Sequence, residues 1–182
     1  MKYRWWLVVT AGLFVIGMVA GLAMPVGVGD ILTDELAVLG ELGSALAPFT
    51  VSTALFIFFK NVLALLVGFI LSPLLCVVPV LTLLLNGGVL AVVAAEVARE
   101  TSVGLVIAAL LPHGILEIPA IIIGEAAALN FGVMAMIALV SRKRRQHFPS
   151  AMRLSLKYMG VACVLLVPAA LIETFVTPMV LR

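Results

Sequence analysis

The chain has 182 residues, of which 64% are hydrophobic and only 11% are charged, and its formal net charge is +2. Soluble domains are about half apolar and about a quarter charged, so this composition excludes a soluble globular protein. Most apolar runs reach the about 20 residues that a membrane-spanning helix needs, and the ten-residue alternation of a membrane barrel is absent. The expected fold is therefore all-α: a single polytopic helical membrane domain over residues 1–182, with about five net spans.

The first apolar run, residues 5–24, follows Lys2 and Arg4 as the core of a signal peptide would. It is longer than such a core usually is, and no small-residue cleavage site follows it. We therefore interpret it as a retained span.

Residues 30–46 combine four acidic residues with apolar residues at close to helical spacing, and they include no basic residue. This pattern is typical of a short amphipathic helix that lies at the membrane surface. Because an acidic face is repelled by an anionic leaflet, we place this segment on the outer side.

A helical hairpin is expected next, with spans at residues 50–71 and 74–97. Ser72 and Pro73 form the predicted turn, because the residue before a proline leaves the helical region easily. The polar stretch of residues 96–102 then ends the second of these spans.

Residues 103–140 form an apolar segment much longer than the about 20 residues of one straight crossing. Pro112 and Pro119 have no backbone N–H, so each removes one helical hydrogen bond. We therefore expect a break around residues 103–130, at Pro112, Gly114 and Pro119. A re-entrant half-helix is the favoured form, and a broken helix with a surface extension is the alternative.

Basic residues set the expected orientation, because Lys and Arg concentrate on the cytoplasmic side of membrane proteins. They lie near the N-terminus and between the fourth span and the last one, at residues 158–178. The protein is therefore expected to be a multi-pass protein of the cell membrane, with its N-terminus in the cytoplasm and its C-terminus outside. The cytoplasmic basic loop is first a stop-transfer signal and second a contact for lipid headgroups; its core is Arg142, Lys143, Arg144 and Arg145.

His113 and Glu117 lie four residues apart in the apolar segment, on one face of a helix. Three interpretations remain open. The pair can pin a broken helix, line a path for a substrate or ion, or supply part of a metal site. Because no second histidine completes a zinc motif, no cofactor is predicted, and a transition metal at His113 and Glu117 is kept only as an alternative.

Other polar residues in the spans extend this candidate cluster, which can be functional or structural. Glu125 follows Glu117 by eight residues, on roughly the same helical face. Two series of small residues, beginning at Gly12 and at Gly124, allow close approach of helices. No nucleotide, haem or nucleophile motif is present, so no catalytic residue is assigned and no nucleic acid is expected as a partner. The whole predicted cluster is His113, Glu117, Glu125, Asn61, Asn86 and Glu173.

Taken together, several blocks resemble the stage II sporulation protein M family from about Ala47 to Pro178. They are "FKNVLALLVGFILSP", "LLLNGGVLAVVA", "LLPHGILEIPAIIIGEAAALNFG" and "LIETFVTP", of which "PHGILEIPA" is the most specific. The chain has "EAAALNFG" where the family pattern leads us to expect a glycine-rich stretch, so Glu125 is less firmly a family feature than His113 and Glu117. The resemblance implies a small membrane protein that acts as a scaffold, since the namesake belongs to a membrane complex with two cell-wall-degrading proteins.

The leading hypothesis is a non-enzymatic integral membrane protein that scaffolds or assists a membrane complex. Its expected partners are the lipid bilayer and either other membrane proteins or a second copy in a homo-oligomer. The alternative is a transporter, or a membrane subunit of one, with a polar site at His113 and Glu117. The second alternative is an intramembrane metal-dependent enzyme built on the same two residues.

Overall fold

The computed structural model describes residues 3–24, 49–100 and 102–180, with the backbone alone at residues 100, 103, 105, 108–113 and 180. The predicted amphipathic segment, residues 30–46, lies outside the described residues. Throughout the described residues the regular structure is helical and no strand is present. The all-α fold is therefore confirmed.

Five helices are long and apolar enough to cross a membrane. Two one-turn helices follow the fourth and fifth of them. The expectation of a multi-pass membrane protein with about five spans is thereby confirmed. In chain order the helices are α1 (Tyr3–Leu22), α2 (Val51–Leu71), α3 (Val77–Glu100), α4 (Val103–Val140), α5 (Arg142–Arg145), α6 (Phe148–Phe175) and α7 (Thr177–Val180).

A short turn joins α2 to α3 at the position where the sequence predicted a hairpin. Ser72 caps the end of α2, and its backbone N–H donates to the carbonyl of Phe69. Leu75 and Cys76 have φ angles of 57° and 56°, in the left-handed region that non-glycine residues seldom adopt. These two residues redirect the chain into α3.

The long helix α4 occupies the centre of the bundle, because it packs against all four of the other spanning helices. Half of its most apolar stretch is buried within the protein, compared with 22–33% for the others. Side chains on α4 therefore face protein rather than lipid over much of their surface. This explains how the helix can carry two carboxylates within the membrane.

The backbone of α4 differs from the break predicted around residues 103–130. It continues as one helix through Pro112 and Pro119, so the re-entrant half-helix is not confirmed. Each proline removes a single hydrogen bond, whereas ending a helix in hydrocarbon would leave several backbone groups without partners. At 1.5 Å per residue, the 38 residues of α4 span about 57 Å, so the helix must tilt or extend past the about 30 Å core.

The last spanning helix, α6, begins at Phe148 rather than near residue 158 as predicted. Pro149 suits its first turn, where a missing N–H costs no hydrogen bond. Arg153 and Lys157 are exposed and therefore lie on a helical extension instead of in a loop. The four basic residues predicted as a loop form the one-turn helix α5 and are all exposed.

Small residues set the distance between helices in this bundle. A side chain at Gly17 or Gly21 would collide with the backbone of α3, and one at Gly132 would collide with the backbone of Ser72. Gly12, in contrast, has open space beside it.

Two apolar clusters complete the core. One joins α2, α4 and α6, and the other joins α1 to α4 and to the turn after α2; their buried members are Leu65, Phe69, Ala120, Ala127, Ala128, Met159, Ala162 and Leu166, and Tyr3, Trp6, Cys76, Ala126 and Leu129.

Candidate functional site

A hydrogen bond between Asn61 and Glu117 joins α2 to α4. The Asn61 Nδ2 atom donates to Glu117 Oε1 at 3.2 Å, and Glu117 is only 7% exposed. Asn61 lies ten residues from either end of α2 (Val51–Leu71), so the pair sits at mid-depth of that span. An ionisable group in the middle of a bilayer is expensive, and such groups pair with polar neighbours in the bundle interior.

A pocket of about 230 Å³ lies beside Glu117, between α1, α3 and α4. Asn86 on α3 is its second polar residue. Asn86 is exposed, and its Nδ2 atom donates to the carbonyl of Thr82 at 2.8 Å. The pocket therefore reaches the surface of the bundle near the middle of α3. Its described lining consists of Phe14, Asn86, Val89, Leu90, Val93, Glu117, Ile118 and Ile121.

Glu125, two turns further along α4, has different surroundings. It is fully buried, and neither carboxyl oxygen has a hydrogen-bond partner among the described residues. Both oxygens lie 3.2 Å from the position that a Cβ atom on Gly68 would take. The glycine on α2 therefore leaves the space that this carboxyl group fills.

Glu117 and Glu125 both lie on the side of α4 that faces α2, opposite Asn61 and Gly68 respectively. Eight residues correspond to a rise of about 12 Å along a helix, and this distance separates the two positions along the axis of α4. Glu125 is not among the described residues that line the pocket. The polar cluster predicted from sequence thus divides in two. Glu117 and Asn86 line the pocket, with Asn61 bonded to Glu117, and the carboxyl group of Glu125 is buried separately.

Two further members of the predicted cluster are not among the described residues that line the pocket, namely His113 and Glu173. The side chains of His113 and Pro112 are outside the described residues, so the pairing of His113 with Glu117 stays a prediction. Glu173 lies in the last turn of α6 and is partly buried. Within the described part of the chain, no three His, Cys, Asp or Glu residues come close enough to hold a metal ion.

Sequence reasoning missed several polar contacts that join the helices. The hydroxyl of Thr10, fully buried on α1, lies 2.9 Å from the Trp6 carbonyl and 3.2 Å from the Ile122 carbonyl on α4. The Asn130 Nδ2 atom donates to the Ser155 hydroxyl at 2.8 Å, which joins α4 to α6. Uncharged polar residues inside apolar spans were the available signal, because such side chains bond across helices in membranes.

Tyr3 provides a further contact that was not anticipated. Its hydroxyl donates to the Ile123 carbonyl at 2.8 Å, and its ring stacks on that of Tyr158 with centroids 3.6 Å apart. The start of α1 is therefore held against both α4 and the first half of α6. This places the exposed Arg4 toward the same end of the bundle as the basic residues of α5 and α6.

Comparison with known proteins identifies one family. The family model described as Stage II sporulation protein M matches residues 7–178, which is nearly the whole chain. No curated protein and no solved structure matches. The matched interval includes every described residue that lines the pocket, and Gly68 and Glu125 as well.

Proposed function

The chain belongs to the stage II sporulation protein M family, and from that premise we propose that it is a non-enzymatic membrane protein that scaffolds or assists a membrane complex. The observation that carries this proposal is that nearly all of the described chain lies in spanning helices and very little in the connections between them. Among the described residues, the connections after α2 and α4 are short, at residues 72–76 and 141–147, and the remainder is almost entirely spanning helix. A partner of this part of the chain would therefore bind to the outward faces of the spans.

The outward face of α2 is a suitable surface for such contacts. Leu63 and Ile70 are 63% and 68% exposed, whereas Leu65 on the same helix is 2% exposed. Helices associate in membranes through packing of apolar and small side chains, so a face of this kind accepts either lipid or another helix. A homo-oligomer would use the same kind of surface.

In-membrane photocrosslinking tests the scaffold proposal. A photoreactive residue at Leu63 or Ile70, in the protein expressed at its native level, should capture other membrane proteins. The same residue at Leu65 is the matched control, since this position faces α4 and α6 and should capture none. If crosslinks from all outward positions reach only the protein itself, the protein does not organise a complex with others.

We also propose the orientation in the cell membrane, with the N-terminus inside and the C-terminus outside. The supporting observation is that Arg4, the basic residues of α5, and Arg153 and Lys157 are exposed toward one end of the bundle. Positive charge of this kind marks the cytoplasmic side.

The second candidate function is that of a transporter or of a membrane subunit of one. It is motivated by the pocket, because a carboxylate at mid-depth beside a pocket is the usual form of a substrate or ion site. Substrate-dependent flux into vesicles that disappears in Glu117→Gln, and persists in Glu96→Gln at the end of α3, would establish it. Absence of flux for every substrate class tried with the unaltered protein would remove it.

A further inference from the structure

Lys60 is a basic residue near the middle of α2, on the side of that helix that faces away from the bundle. It lies nine residues after Val51 and eleven before Leu71, and its side chain is exposed. We propose that this face of α2 binds a spanning helix of a different membrane protein, and that a carboxylate in the middle of that helix pairs with Lys60. The inference rests on the proposed scaffold function and names the chemistry of the partner.

Lys60 has no counter-charge within the described part of the chain. Its side chain forms no ion pair and no hydrogen bond with a described residue. The neighbouring Asn61 faces the bundle instead, where it donates to Glu117. A charged side chain at the centre of a bilayer is costly, and such residues usually face the bundle interior or pair with one another. An exposed lysine at this depth therefore indicates a partner that supplies the opposite charge.

The depth of Lys60 disfavours a lipid headgroup as that partner. At 1.5 Å per residue, the lysine lies about 14 Å along the axis from the nearer end of α2. A lysine reaches toward the interface on a four-carbon stem, which covers less than half of that distance. Lysines that reach headgroups in this way lie near the ends of spans. A spanning helix can place a carboxylate at mid-depth, whereas a headgroup cannot.

The surroundings of Lys60 suit the docking of a helix. Ala64, one turn after Lys60, is exposed and small, so a neighbouring backbone can approach closely. The opposite face of α2 packs against α4 and α6 through Leu65 and Phe69. Apolar side chains within one to three turns of Lys60 are exposed on its own side, and with Lys60 and Ala64 we call them the Lys60 face. They are Phe56, Leu63, Val67 and Leu71.

A second copy of the chain does not offer the required carboxylate from its described residues. Glu117 and Glu125 are buried within their own bundle. Glu96 forms an ion pair near the end of α3, and Glu173 lies in the last turn of α6. Within this part of the chain, no exposed acidic side chain lies at the depth of Lys60. We therefore assign the carboxylate to a different protein.

Single-span probe peptides test the inference on the full-length protein, purified and reconstituted into phosphatidylcholine vesicles. The probes are leucine-rich helices that carry a glutamate at the midpoint, a glutamine at the midpoint, or a glutamate near one end. Energy transfer between labelled peptide and labelled protein measures their association. The midpoint-glutamate peptide should associate at least fivefold more strongly than either of the others. Only this peptide offers a charge-assisted hydrogen bond at the depth of Lys60, and such bonds are stronger than neutral ones.

Substitutions at Lys60 and at a control lysine assign the preference to one residue. In Lys60→Leu the preference for glutamate over glutamine should fall to less than twofold. Lys157→Leu removes an exposed lysine at the basic end of the bundle and should leave the preference unchanged. In Lys60→Glu, a peptide with a lysine at its midpoint should become the preferred probe.

Three outcomes of these experiments would overturn the inference. The unaltered protein could bind the glutamate and glutamine peptides equally, a comparison that needs no variant. Lys60→Leu and Lys157→Leu could behave alike. Addition of phosphatidylglycerol to the vesicles could abolish the preference, which would show that Lys60 contacts lipid headgroups.

Photocrosslinking in native membranes separates this inference from the scaffold proposal. A photoreactive residue at Val67, two turns after Lys60 on the same face, should capture other membrane proteins, and Lys60→Glu should reduce this capture at least fivefold. Equal capture in both backgrounds would leave the scaffold proposal standing and overturn the inference about Lys60. Capture of the protein itself alone would contradict the scaffold proposal, while the peptide comparison would still decide whether the Lys60 face recognises a carboxylate.

Discussion

At the scale of single residues, the two carboxyl groups on α4 illustrate how local surroundings separate chemically identical side chains. Glu117 accepts a hydrogen bond from Asn61 and borders a pocket. Glu125 is fully buried and has no hydrogen-bond partner among the described residues. A buried polar group without a partner costs about 1–3 kcal/mol, so the two residues should respond to substitution in opposite directions.

The first prediction concerns Glu125. Glu125→Met keeps an unbranched side chain of similar length and removes the polar atoms, so the free energy of unfolding should rise by about 1 kcal/mol. Unfolding in mixed micelles, followed by circular dichroism, measures the change. Glu117→Met is the comparison and should lower stability, since it leaves the Asn61 amide without its acceptor. A loss of stability in Glu125→Met would mean that the carboxyl group has a stabilising partner.

The second prediction concerns the hydrogen bond between α2 and α4. Asn61→Ala and Glu117→Met, measured singly and together, should give a coupling energy of about 0.6 kcal/mol, which is the average for hydrogen bonds between membrane helices. The same unfolding measurement applies. Strictly additive effects of the two substitutions would show that the bond contributes nothing to stability.

At the scale of the helices, close packing depends on glycines whose missing side chains let backbones meet. Gly17 and Gly21 bring α1 against α3, and Gly132 brings α4 against the end of α2. Cores packed in this way transmit even small changes in volume, because the neighbouring backbone cannot move aside cheaply.

The third prediction uses two glycines on α1 that differ only in what faces them. Gly17→Ala would collide with the backbone of Leu84 and should lower the free energy of unfolding by about 1–3 kcal/mol. Gly12→Ala meets open space and should raise helix stability by up to about 1 kcal/mol. Thermal unfolding of the two variants distinguishes these signs. Equal effects at both positions would rule out a close contact between α1 and α3.

At the scale of the whole molecule, the direction of each helix across the membrane follows from the five spans once one end is assigned. If each of the five spanning helices among the described residues crosses once, and no other crossing lies between them, the two described ends lie on opposite sides. The connection after α3, at residue 102, and the turn after α4, at residues 141–147, must also lie on opposite sides if α4 crosses once.

The fourth prediction tests this arrangement with single cysteines in a Cys76→Ala, Cys163→Ala background. A membrane-impermeant maleimide should label Ser102→Cys in intact cells and should label Gln146→Cys only after the membrane is opened. The reverse pattern would invert the proposed orientation. Labelling of both positions from one side would contradict a single crossing by α4, and would restore the re-entrant alternative.

The sequence by itself determined the membrane class, the all-α fold, the number of spans and the family. These properties depend on the length and composition of apolar runs and on short motifs, all of which are local. It also marked Glu117 as a residue expected to have a polar neighbour, because ionisable groups within spans are costly and usually pair with polar groups in the bundle interior.

Only the tertiary structure decided which groups meet. Asn61 on α2 reaches Glu117, Gly68 makes room for Glu125, and Asn86 joins the pocket, because contacts between helices depend on their order and rotation in the bundle. The course of α4 through Pro112 was also decided at this level. The local rule that proline ends a helix was outweighed by the need to keep backbone hydrogen bonds in a medium that offers no replacement.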